Sequence, residues 1–247
     1  MSRSPHWQQR WQSLLTRLHL VSDASAEQRL LEQLSSPERC TVVGFVNAHA
    51  FNLLAGNADY HEALSTAQVL LRDGSGMAIL LRRLGMPVGL NMNGTDFIPK
   101  LLASYRGRRV ALWGTCEPFL QQAAQRAESE FGVNVISTAH GFAELEHYLG
   151  LAERERPELV VLGMGMPKQE WLAARLAALD IPCVVVCGGA ILDFLGGKVT
   201  RAPHWVRRLG CEWAYRLLLE PRRLFQRYVL GNPQFLWRTL RMPRVVR

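Results

Sequence analysis

The sequence lacks the features of a membrane-spanning, secreted or disulfide-stabilised protein. No stretch of about 18 uninterrupted apolar residues occurs, so no helix is expected to cross a membrane. The first residues are polar and contain no apolar segment of the kind found in signal peptides. The five cysteines are an odd number and form no Cys-x-x-Cys pair, which is typical of a reducing compartment. These absences predict a cytoplasmic protein.

The motifs of several enzyme classes are missing as well. The sequence contains no Walker loop, no His-Glu-x-x-His pair and no Gly-x-Ser-x-Gly turn. Its histidines and cysteines do not cluster at the spacing of metal ligands. We therefore expect neither a P-loop NTPase, a zinc protease nor an α/β-hydrolase, and we expect no metal ion and no organic cofactor.

The excess of positive charge is confined to the C-terminal fifth of the chain. Residues 201–247 contain eleven arginines and two glutamates, a net charge of +9, whereas residues 1–200 have a net charge of −1. Such asymmetry indicates an anionic partner, which could be nucleic acid, a phosphorylated substrate or an acidic membrane surface.

Short apolar segments alternate with helical patterns over most of the chain. The segments predicted as strands are 40–46, 69–71, 109–114, 133–136, 159–163 and 182–187. This alternation predicts an α/β fold with a mainly parallel sheet and helices on both faces. We assign residues 1–200 to this catalytic core, with a helical lead-in over 1–38, and residues 201–247 to a helical appendage rich in arginine and aromatic residues.

Glycines and polar residues follow four of the predicted strands. The four segments are Asn47-Ala-His49, Asp73-Gly-Ser-Gly76, Gly163-Met-Gly-Met-Pro-Lys-Gln-Glu170 and Gly188-Gly-Ala-Ile-Leu-Asp193. In open parallel sheets, ligands bind beyond the carboxyl ends of the strands. We therefore expect these segments to gather at one edge of the sheet and to form a ligand site.

Asp73 has two interpretations. A carboxylate at a strand end, next to glycines that allow a substrate to approach, can act as a general base. An aspartate in front of a helix can equally be its N-cap, with the side chain bound to backbone N–H groups. Position alone does not decide between them.

The two glycine turns are also open to more than one interpretation. Gly163 and Gly165 resemble the start of a dinucleotide-binding motif, but Lys168 stands where its third glycine would be. A helix N-terminus with a lysine would also suit a phosphate group. Gly188 and Gly189 allow either close approach of a ligand or a tight packing turn.

The appendage combines arginine with aromatic residues. Arg208, Arg216, Arg223 and Arg227 fall on one side of an ideal helix, although Pro221 interrupts the segment. Such a helix could face an anionic membrane or hold a diphosphate, could bind nucleic acid, or could simply present a solvated face.

Taken in order along the chain, these motifs resemble the WecG/TagA/CpsF glycosyltransferases (glycosyltransferase family 26). The resemblance runs from about Val42 to Phe235. The matching segments are Asp73-Gly74, Asn93-Gly-Thr-Asp96, Gly163-Met-Gly-Met-Pro-Lys-Gln-Glu170, Val185-Val-Cys-Gly-Gly-Ala190, Gly196-Gly-Lys-Val-Thr-Arg-Ala-Pro203, Gly210-Cys-Glu-Trp-Ala-Tyr-Arg216 and Glu220-Pro-Arg-Arg223.

The resemblance implies an inverting, metal-independent transfer of a sugar from a UDP-sugar to a polyprenyl-diphosphate-linked saccharide. It also implies that the appendage contacts the anionic membrane surface and closes the active site. The protein would then be peripheral on the inner face of the cytoplasmic membrane. Such an arrangement leaves room for a homo-oligomer.

The resemblance also assigns roles to single residues. Asp73 would be the general base, Asn47 would position the sugar or the acceptor, and Gln169 would contact the transferred sugar. The residues expected to bind the donor and its nucleotide are Gly163, Gly165, Lys168, Gly188, Gly189, Asp193 and Asp96. Those expected to meet the diphosphate or the membrane are Arg201, Arg208, Arg216, Arg223 and Arg227.

Two departures from the family pattern bear on the substrate. Asn47-Ala-His49 lacks the acid that often stands at its third position, and the segment before Gly94 reads Asn91-Met-Asn93. This combination resembles an exopolysaccharide branch that adds glucose to lipid-linked glucose, so UDP-glucose is the expected donor. The alternative is transfer of N-acetylmannosamine or N-acetylmannosaminuronate.

Two other classes of protein are alternatives to a glycosyltransferase. A nucleic-acid-binding protein would use the basic appendage, but it would leave the four strand-end segments without a role. A nicotinamide-dependent oxidoreductase would need a complete dinucleotide motif, which is missing. We therefore expect no nucleic-acid partner.

Overall fold

A single parallel sheet organises the molecule. The computed structural model describes residues 5–243. The sheet has six strands in the order β2-β1-β6-β5-β3-β4, and every neighbouring pair is parallel. The strands are β1 (Thr41–Val46), β2 (Val69–Arg72), β3 (Arg109–Gly114), β4 (Asn134–Ala139), β5 (Leu159–Gly163) and β6 (Val184–Cys187). The predicted fold class is therefore confirmed.

Helices connect the strands and cover the sheet. In the first 200 residues they are α1 (His6–Leu15), α2 (Ala24–Leu34), α3 (Ala48–Gly56), α4 (Ala58–Ser65), α5 (Gly74–Leu84), α6 (Gly94–Ser104), α7 (Phe119–Phe131), α8 (Leu145–Glu155), α9 (Lys168–Leu176) and α10 (Ile191–Leu195). The lead-in predicted over 1–38 consists of α1 and α2, and between them Leu18 forms a bridge with Leu70 of β2. Residues 1–4 of that prediction lie outside the described residues.

Most of the strands bury side chains on both faces of the sheet, which explains their continuous apolar sequences. The exception is β4, which lies at the edge of the sheet and has two exposed residues. In β1, Val42 and Val46 belong to one hydrophobic cluster, whereas Val43 and Phe45 belong to the other. All four side chains are buried. Because successive residues of a strand point to opposite faces, a sheet covered on both sides needs apolar residues at every position.

The appendage consists of short helices rather than one long helix. They are α11 (His204–Arg208), α12 (Glu212–Leu219), α13 (Pro221–Phe225), a π-helical turn over Gln226–Leu230, and α14 (Gly231–Arg241). Gly210 interrupts the chain with a positive φ of 69°, and α13 begins at Pro221. The ideal helix that would align Arg208 with Arg227 is therefore wrong, since two breaks separate these residues. Residues 244–247 lie outside the described part.

The last helix is anchored in the core. Phe235 of α14 is 1% exposed, and its ring lies 5.4 Å from that of Trp11 and 6.4 Å from that of Phe51, centroid to centroid. Arg238 donates a hydrogen bond to the side-chain oxygen of Asn52 at 2.8 Å. Because α14 shares the buried cluster of α1 and α3, the domain boundary near residue 200 stays a prediction.

The rest of the appendage leaves large apolar side chains uncovered. Those that are about half or more exposed are Trp205, Leu209, Leu218, Leu219, Phe225, Leu230, Trp237 and Leu240. Within residues 5–243, no helix is both long and apolar enough to span a bilayer.

Candidate active site

The four strand-end segments meet at the carboxyl edge of the sheet, as the sequence predicts. Asp73 follows β2, Asn47 follows β1, Gly188 follows β6, and Gly163 ends β5. These four strands are consecutive neighbours in the sheet order β2-β1-β6-β5. Parallel strands carry their carboxyl ends to the same edge, so residues far apart in sequence are brought together there.

Asp73 stands at the N-cap position of α5, but its side chain does not cap the helix. Instead, its Oδ2 accepts a hydrogen bond from Nδ2 of Asn47 at 3.2 Å. The Oδ1 of Asn47 accepts from the backbone N–H of Ala50 at 3.1 Å and so caps α3. The orientation of the Asn47 amide is thereby set, and its N–H group is directed at the Asp73 carboxylate.

Two arginines of the appendage act on the Asp73 carboxylate. Burial is the largest influence on Asp73 and raises its pKa above the ordinary value. The hydrogen bond from Asn47 opposes this shift. The positive charges of Arg227, Arg72 and Arg216 oppose it as well. A carboxylate with a raised pKa is a stronger base, and the positive charges of the nearby arginines favour its ionised form.

The appendage lies directly over the start of α5. A Cβ placed on Gly210 would lie 3.6 Å from the Cβ of Ser75, and one on Gly76 would lie 3.4 Å from the ring of Phe235. Arg216 also stacks on the ring of Phe194 in α10, with 5.4 Å between its guanidinium carbon and the ring centroid. The appendage therefore forms one wall of the site around Asp73.

The remaining predicted arginines differ in their surroundings. Arg201 forms an ion pair with Asp96, and Arg207 lies 3.7 Å from the same carboxylate oxygen. Arg223 pairs with Glu220 on the surface. Arg208 is exposed. The structure thus brings Arg216 and Arg227 to Asp73, and Arg201 to Asp96, but it does not bring Arg208 and Arg223 to the carboxylate.

Asp96 serves the junction between core and appendage. Asn93 caps α6 by accepting a hydrogen bond from the backbone N–H of Asp96 at 2.9 Å, and its Nδ2 donates to the Asp96 carboxylate at 2.7 Å. Partial burial would raise the pKa of Asp96, but the bonds from Asn93 and Arg201 outweigh it and lower the pKa. The carboxylate is therefore ionised and tied to Arg201, and its predicted contact with the nucleotide stays a prediction.

Lys168 and Gln169 are both engaged by the protein. The Nζ of Lys168 donates to the carbonyls of Gly141 at 3.1 Å and Ala143 at 2.6 Å. Gln169 is fully buried, and its Oε1 accepts from the backbone N–H of Gly189 at 3.0 Å. In this arrangement Lys168 holds the loop after β4, and Gln169 holds the turn after β6. Their contacts with phosphate and sugar stay predictions.

The glycines of the two turns differ in what surrounds them. A Cβ on Gly163 would come within 2.8 Å of Leu192, and one on Gly188 within 2.4 Å of Ile191. Close packing therefore requires glycine at both positions. Gly165 and Gly189 have positive φ angles of 80° and 62°. Among the described residues, no neighbouring atom lies within 4 Å of a Cβ built on either glycine. Only the second glycine of each turn thus borders open space that a ligand could fill.

The comparison with protein families identifies the family of the chain. The family described as "Glycosyl transferase WecG/TagA/CpsF family" matches residues 11–246. The chain belongs to this family. It is therefore a glycosyltransferase, as the order of its motifs predicts.

Curated relatives of this glycosyltransferase share one name, N-acetylglucosaminyldiphosphoundecaprenol N-acetyl-beta-D-mannosaminyltransferase. The protein from Bacillus spizizenii is 28% identical over 192 residues, 76% of this chain and 74% of its own length. The one from Bacillus subtilis is 27% identical over 184 residues, 73% and 72% of the two chains. One from Staphylococcus aureus is 27% identical over 207 residues, 81% and 80% of the two chains.

The glycosyltransferase site contains residues that the sequence analysis missed. Thr115 follows β3, has a positive φ of 45°, and donates from Oγ1 to the Asp193 carboxylate at 2.6 Å. Lys198 Nζ lies 3.3 Å from the same carboxylate oxygen. Thr115 occupies a strand end like the other four segments, so the same rule could have found it. Glu212, one of the two acids in the appendage, lies close enough to Asp73 for the two charges to interact.

Metal-ligating side chains do not gather in the part of the glycosyltransferase that the structure describes. Within residues 5–243, no group of three or more His, Cys, Asp or Glu side chains is arranged to hold an ion.

A second carboxyl group with a raised pKa, that of Glu170, is buried beside Gln169. Glu170 is 2% exposed, and its Oε1 accepts from Nε2 of Gln169 at 2.8 Å, while its Oε2 has no hydrogen-bond partner within residues 5–243. Burial raises the pKa of Glu170 to about 7, from an ordinary 4.5. Between pH 4.5 and pH 7, Glu170 is therefore still protonated in the native state but ionised in the unfolded chain. The free energy of unfolding falls as the pH rises through this range, because the unfolded chain binds fewer protons than the native state.

We therefore expect the Glu170→Gln variant to lose less stability than the wild type between pH 5 and pH 8. The difference in the change of unfolding free energy should be on the order of 2–3 kcal/mol, given about 1.4 kcal/mol per pKa unit. Urea unfolding at both pH values measures it, with Glu153→Gln, an exposed residue of α8, as the matched control. Equal pH dependence in wild type and Glu170→Gln would show that Glu170 is already ionised at low pH.

Proposed function

We propose that this glycosyltransferase moves N-acetylmannosamine from UDP-N-acetylmannosamine to a polyprenyl-diphosphate-linked N-acetylglucosamine, with inversion at the anomeric carbon. The observation that carries the proposal is the Asp73 carboxylate. It does not cap its helix, it accepts a hydrogen bond from Asn47, and the charges of two arginines of the appendage act on it. The names of the relatives suggest the sugar and the acceptor. They favour this alternative over UDP-glucose.

Asp73 is proposed as the general base. An inverting transfer needs one group that removes the proton of the acceptor hydroxyl while that oxygen attacks the anomeric carbon from the side opposite the leaving group. A raised pKa brings Asp73 closer to the working pH and makes proton removal easier. Asn47 would orient the carboxylate and position the sugar or the acceptor.

Arg216 and Arg227 are proposed to stabilise the UDP leaving group. As the bond to the sugar breaks, negative charge develops on the β-phosphate, and fixed positive charges aimed at that point lower the barrier. Both arginines have a buried Nε without a hydrogen-bond partner in the described residues. Arg223 and Lys168 are further candidates for the diphosphate, at the cost of the contacts that they now make.

The donor is proposed to lie along the carboxyl edge between β1 and β5. Gly165 and Gly189 border open space there. The Asp193 carboxylate lies at the same edge and accepts a hydrogen bond from Thr115. Helix N-termini at this edge add favourable electrostatic potential for phosphate groups. Gln169 would reach the transferred sugar only if the donor displaced its bond to Gly189.

The appendage is proposed to rest on the inner face of the cytoplasmic membrane. Its exposed Trp205, Leu218 and Trp237 would enter the lipid headgroup region, and its exposed arginines would meet anionic lipids. A lipid-linked acceptor would then reach Asp73 from the same side. A homo-oligomer on the membrane is compatible with this arrangement and stays a prediction.

The experiment that tests the proposal is a donor and acceptor panel. The purified protein is incubated with UDP-N-acetylmannosamine, UDP-glucose or UDP-N-acetylglucosamine and a synthetic polyprenyl-diphosphate-linked N-acetylglucosamine or glucose. Products are identified by mass spectrometry, with and without EDTA. We expect transfer of N-acetylmannosamine to the N-acetylglucosamine acceptor, undiminished by EDTA.

Other outcomes are equally informative. Transfer of glucose to lipid-linked glucose would favour a place in the exopolysaccharide branch of the family. Use of a uronate donor would favour transfer of N-acetylmannosaminuronate. Activity that EDTA abolishes and Mn²⁺ or Mg²⁺ restores would contradict the metal-independent mechanism. No transfer from any UDP-sugar would overturn the proposed donor class.

A further inference from the structure

Asp73 is the exception among the Asp and Asn residues that precede helices. Four others, Asp23, Asn47, Asn57 and Asn93, each accept a hydrogen bond from the backbone N–H three residues later, at 2.8–3.1 Å. This is the usual arrangement of an N-cap. Asp73 makes no such bond, although the matching N–H, that of Gly76, belongs to its own helix.

The residue after Asp73 explains the difference. Gly74 has a positive φ of 86°, a conformation that turns the chain between Asp73 and the first turn of α5. In the part of the chain that the structure describes, no neighbouring heavy atom lies within 4 Å of a Cβ built on Gly74. The position therefore requires glycine because of its backbone conformation and not because of crowding.

Side chains hold both peptide groups of Gly74. The N–H of Gly74 donates to Oδ1 of Asn91 at 2.7 Å. The carbonyl of Gly74 accepts from a guanidinium N–H of Arg72 at 3.0 Å. Arg72 is 5% exposed and also donates to the carbonyl of Gly89 at 3.2 Å, while its own carbonyl accepts from the N–H of Met92 at 2.9 Å. The segment that carries Asn91 is thus fastened to the end of β2.

We propose that Asn91 is a positioning residue for the general base. By binding the N–H of Gly74, it maintains the backbone turn that keeps the Asp73 carboxylate away from the N–H groups of α5 and directed at Asn47. The inference deepens the proposed function and rests on Asp73 being the base. Asn91 itself needs no contact with the substrate for this role.

The loss of Asn91 has a defined electrostatic consequence. If Gly74 relaxes, Asp73 is free to accept the N–H of Gly76 as an ordinary N-cap, and such bonds stabilise the ionised form and lower a carboxyl pKa. The charged groups that face Asp73 are Arg72 of β2, Arg227 of the π-helical turn, and Arg216 and Glu212 of α12. Those of the appendage make none of the contacts that hold Gly74, so a fall in the Asp73 pKa would report chiefly on the carboxylate's own hydrogen bonds.

The test compares Asn91→Ala with Asn91→Asp in the full-length protein. We expect Asn91→Ala to lower kcat by roughly 10- to 100-fold, because the Asp73 carboxylate is displaced. The KM for the UDP-sugar should change little, because the residues proposed to bind the donor are not altered. The acid limb of its pH–rate profile should move to lower pH. Asn91→Asp keeps the acceptor oxygen and should retain most of kcat, while its added negative charge moves the acid limb to higher pH.

Three further variants and one spectroscopic readout complete the design. Asn57→Ala removes the same kind of side-chain bond, at the N-cap of α4, and should leave the kinetics unchanged. Gly74→Ala disfavours the positive φ directly and should resemble Asn91→Ala. Asp73→Asn identifies the Asp73 signal in ¹³C NMR titrations of side-chain carboxyl groups, which then report the Asp73 pKa in each variant without any substrate. We expect that pKa to fall in Asn91→Ala and to rise in Asn91→Asp.

The outcomes separate this inference from the proposed function. Wild-type kinetics together with an unchanged Asp73 titration in Asn91→Ala would overturn the positioning role, as would equal shifts in the two Asn91 variants. If the wild type transfers no sugar, the proposed function fails, and the NMR titration still decides whether Asn91 controls the carboxylate.

Discussion

Replacing Asp73 by Asn is expected to lower kcat by about 10²- to 10⁴-fold, the usual contribution of a general base. Asparagine has nearly the shape of aspartate and can still accept a hydrogen bond from Asn47, but it cannot take up the proton of the acceptor hydroxyl. Binding of the UDP-sugar should not weaken, because the neutral side chain removes a negative charge that would repel the diphosphate. Initial rates and calorimetric titration with UDP measure the two quantities.

The matched control is Asp59→Asn. Asp59 is exposed in the first turn of α4 and has no part in the proposed site. Its substitution removes the same charge from the protein and should leave kcat unchanged. An Asp73→Asn variant with a near wild-type rate would exclude Asp73 as the base, whatever the behaviour of the control.

The Arg227→Gln variant is expected to lose about 10²- to 10³-fold in kcat, the typical effect of removing one group that stabilises charge in the transition state. The arginine also lowers the pKa of Asp73, so its removal should move the acid limb of the pH–rate profile to higher pH. It further helps burial to hold the pKa of His49 at about 4. The pKa of His49, measured by NMR, should therefore rise in the variant.

Arg222→Gln is the control for this experiment. Arg222 lies five residues before Arg227, is exposed and has no proposed role in the site. It carries the same charge on the same appendage, so a general effect of net charge on lipid or acceptor binding would appear in both variants. Equal losses in the two variants would show that Arg227 acts through membrane attraction and not through the leaving group. An unchanged His49 pKa would contradict the proximity of Arg227 to the site.

The sequence predicted the sheet well because the signal is local. A strand covered on both faces is apolar at its buried positions, and β3 (Arg109–Gly114) and β5 (Leu159–Gly163) have the predicted bounds. The sequence pattern of residues 50–65 is that of one continuous helix, whereas the structure has two helices, α3 and α4, divided at Asn57. Asn57 ends the first helix and caps the second with its side chain. Asparagine is not unusual inside a helical pattern, so periodicity alone does not reveal the break.

The appendage was harder to predict for a different reason. Its composition indicates amphipathic helices, and the structure contains them, but an ideal helix carried through Gly210 and Pro221 misplaces every arginine beyond the breaks. Arg216 and Arg227 reach Asp73 because α14 anchors the end of the chain in the core through Phe235. That anchor depends on Trp11, more than 200 residues earlier in the sequence.

By itself, the sequence determined the fold class, the four strand-end segments, the family and the choice of Asp73 as the candidate base. These follow from patterns within short stretches of chain and from the order of motifs. Only the tertiary structure decided that Asp73 does not cap its helix, that Asn91 holds Gly74, and which arginines face the carboxylate. Each of these depends on contacts between residues well separated in sequence, and packing of the sheet, the helices and the appendage sets those contacts.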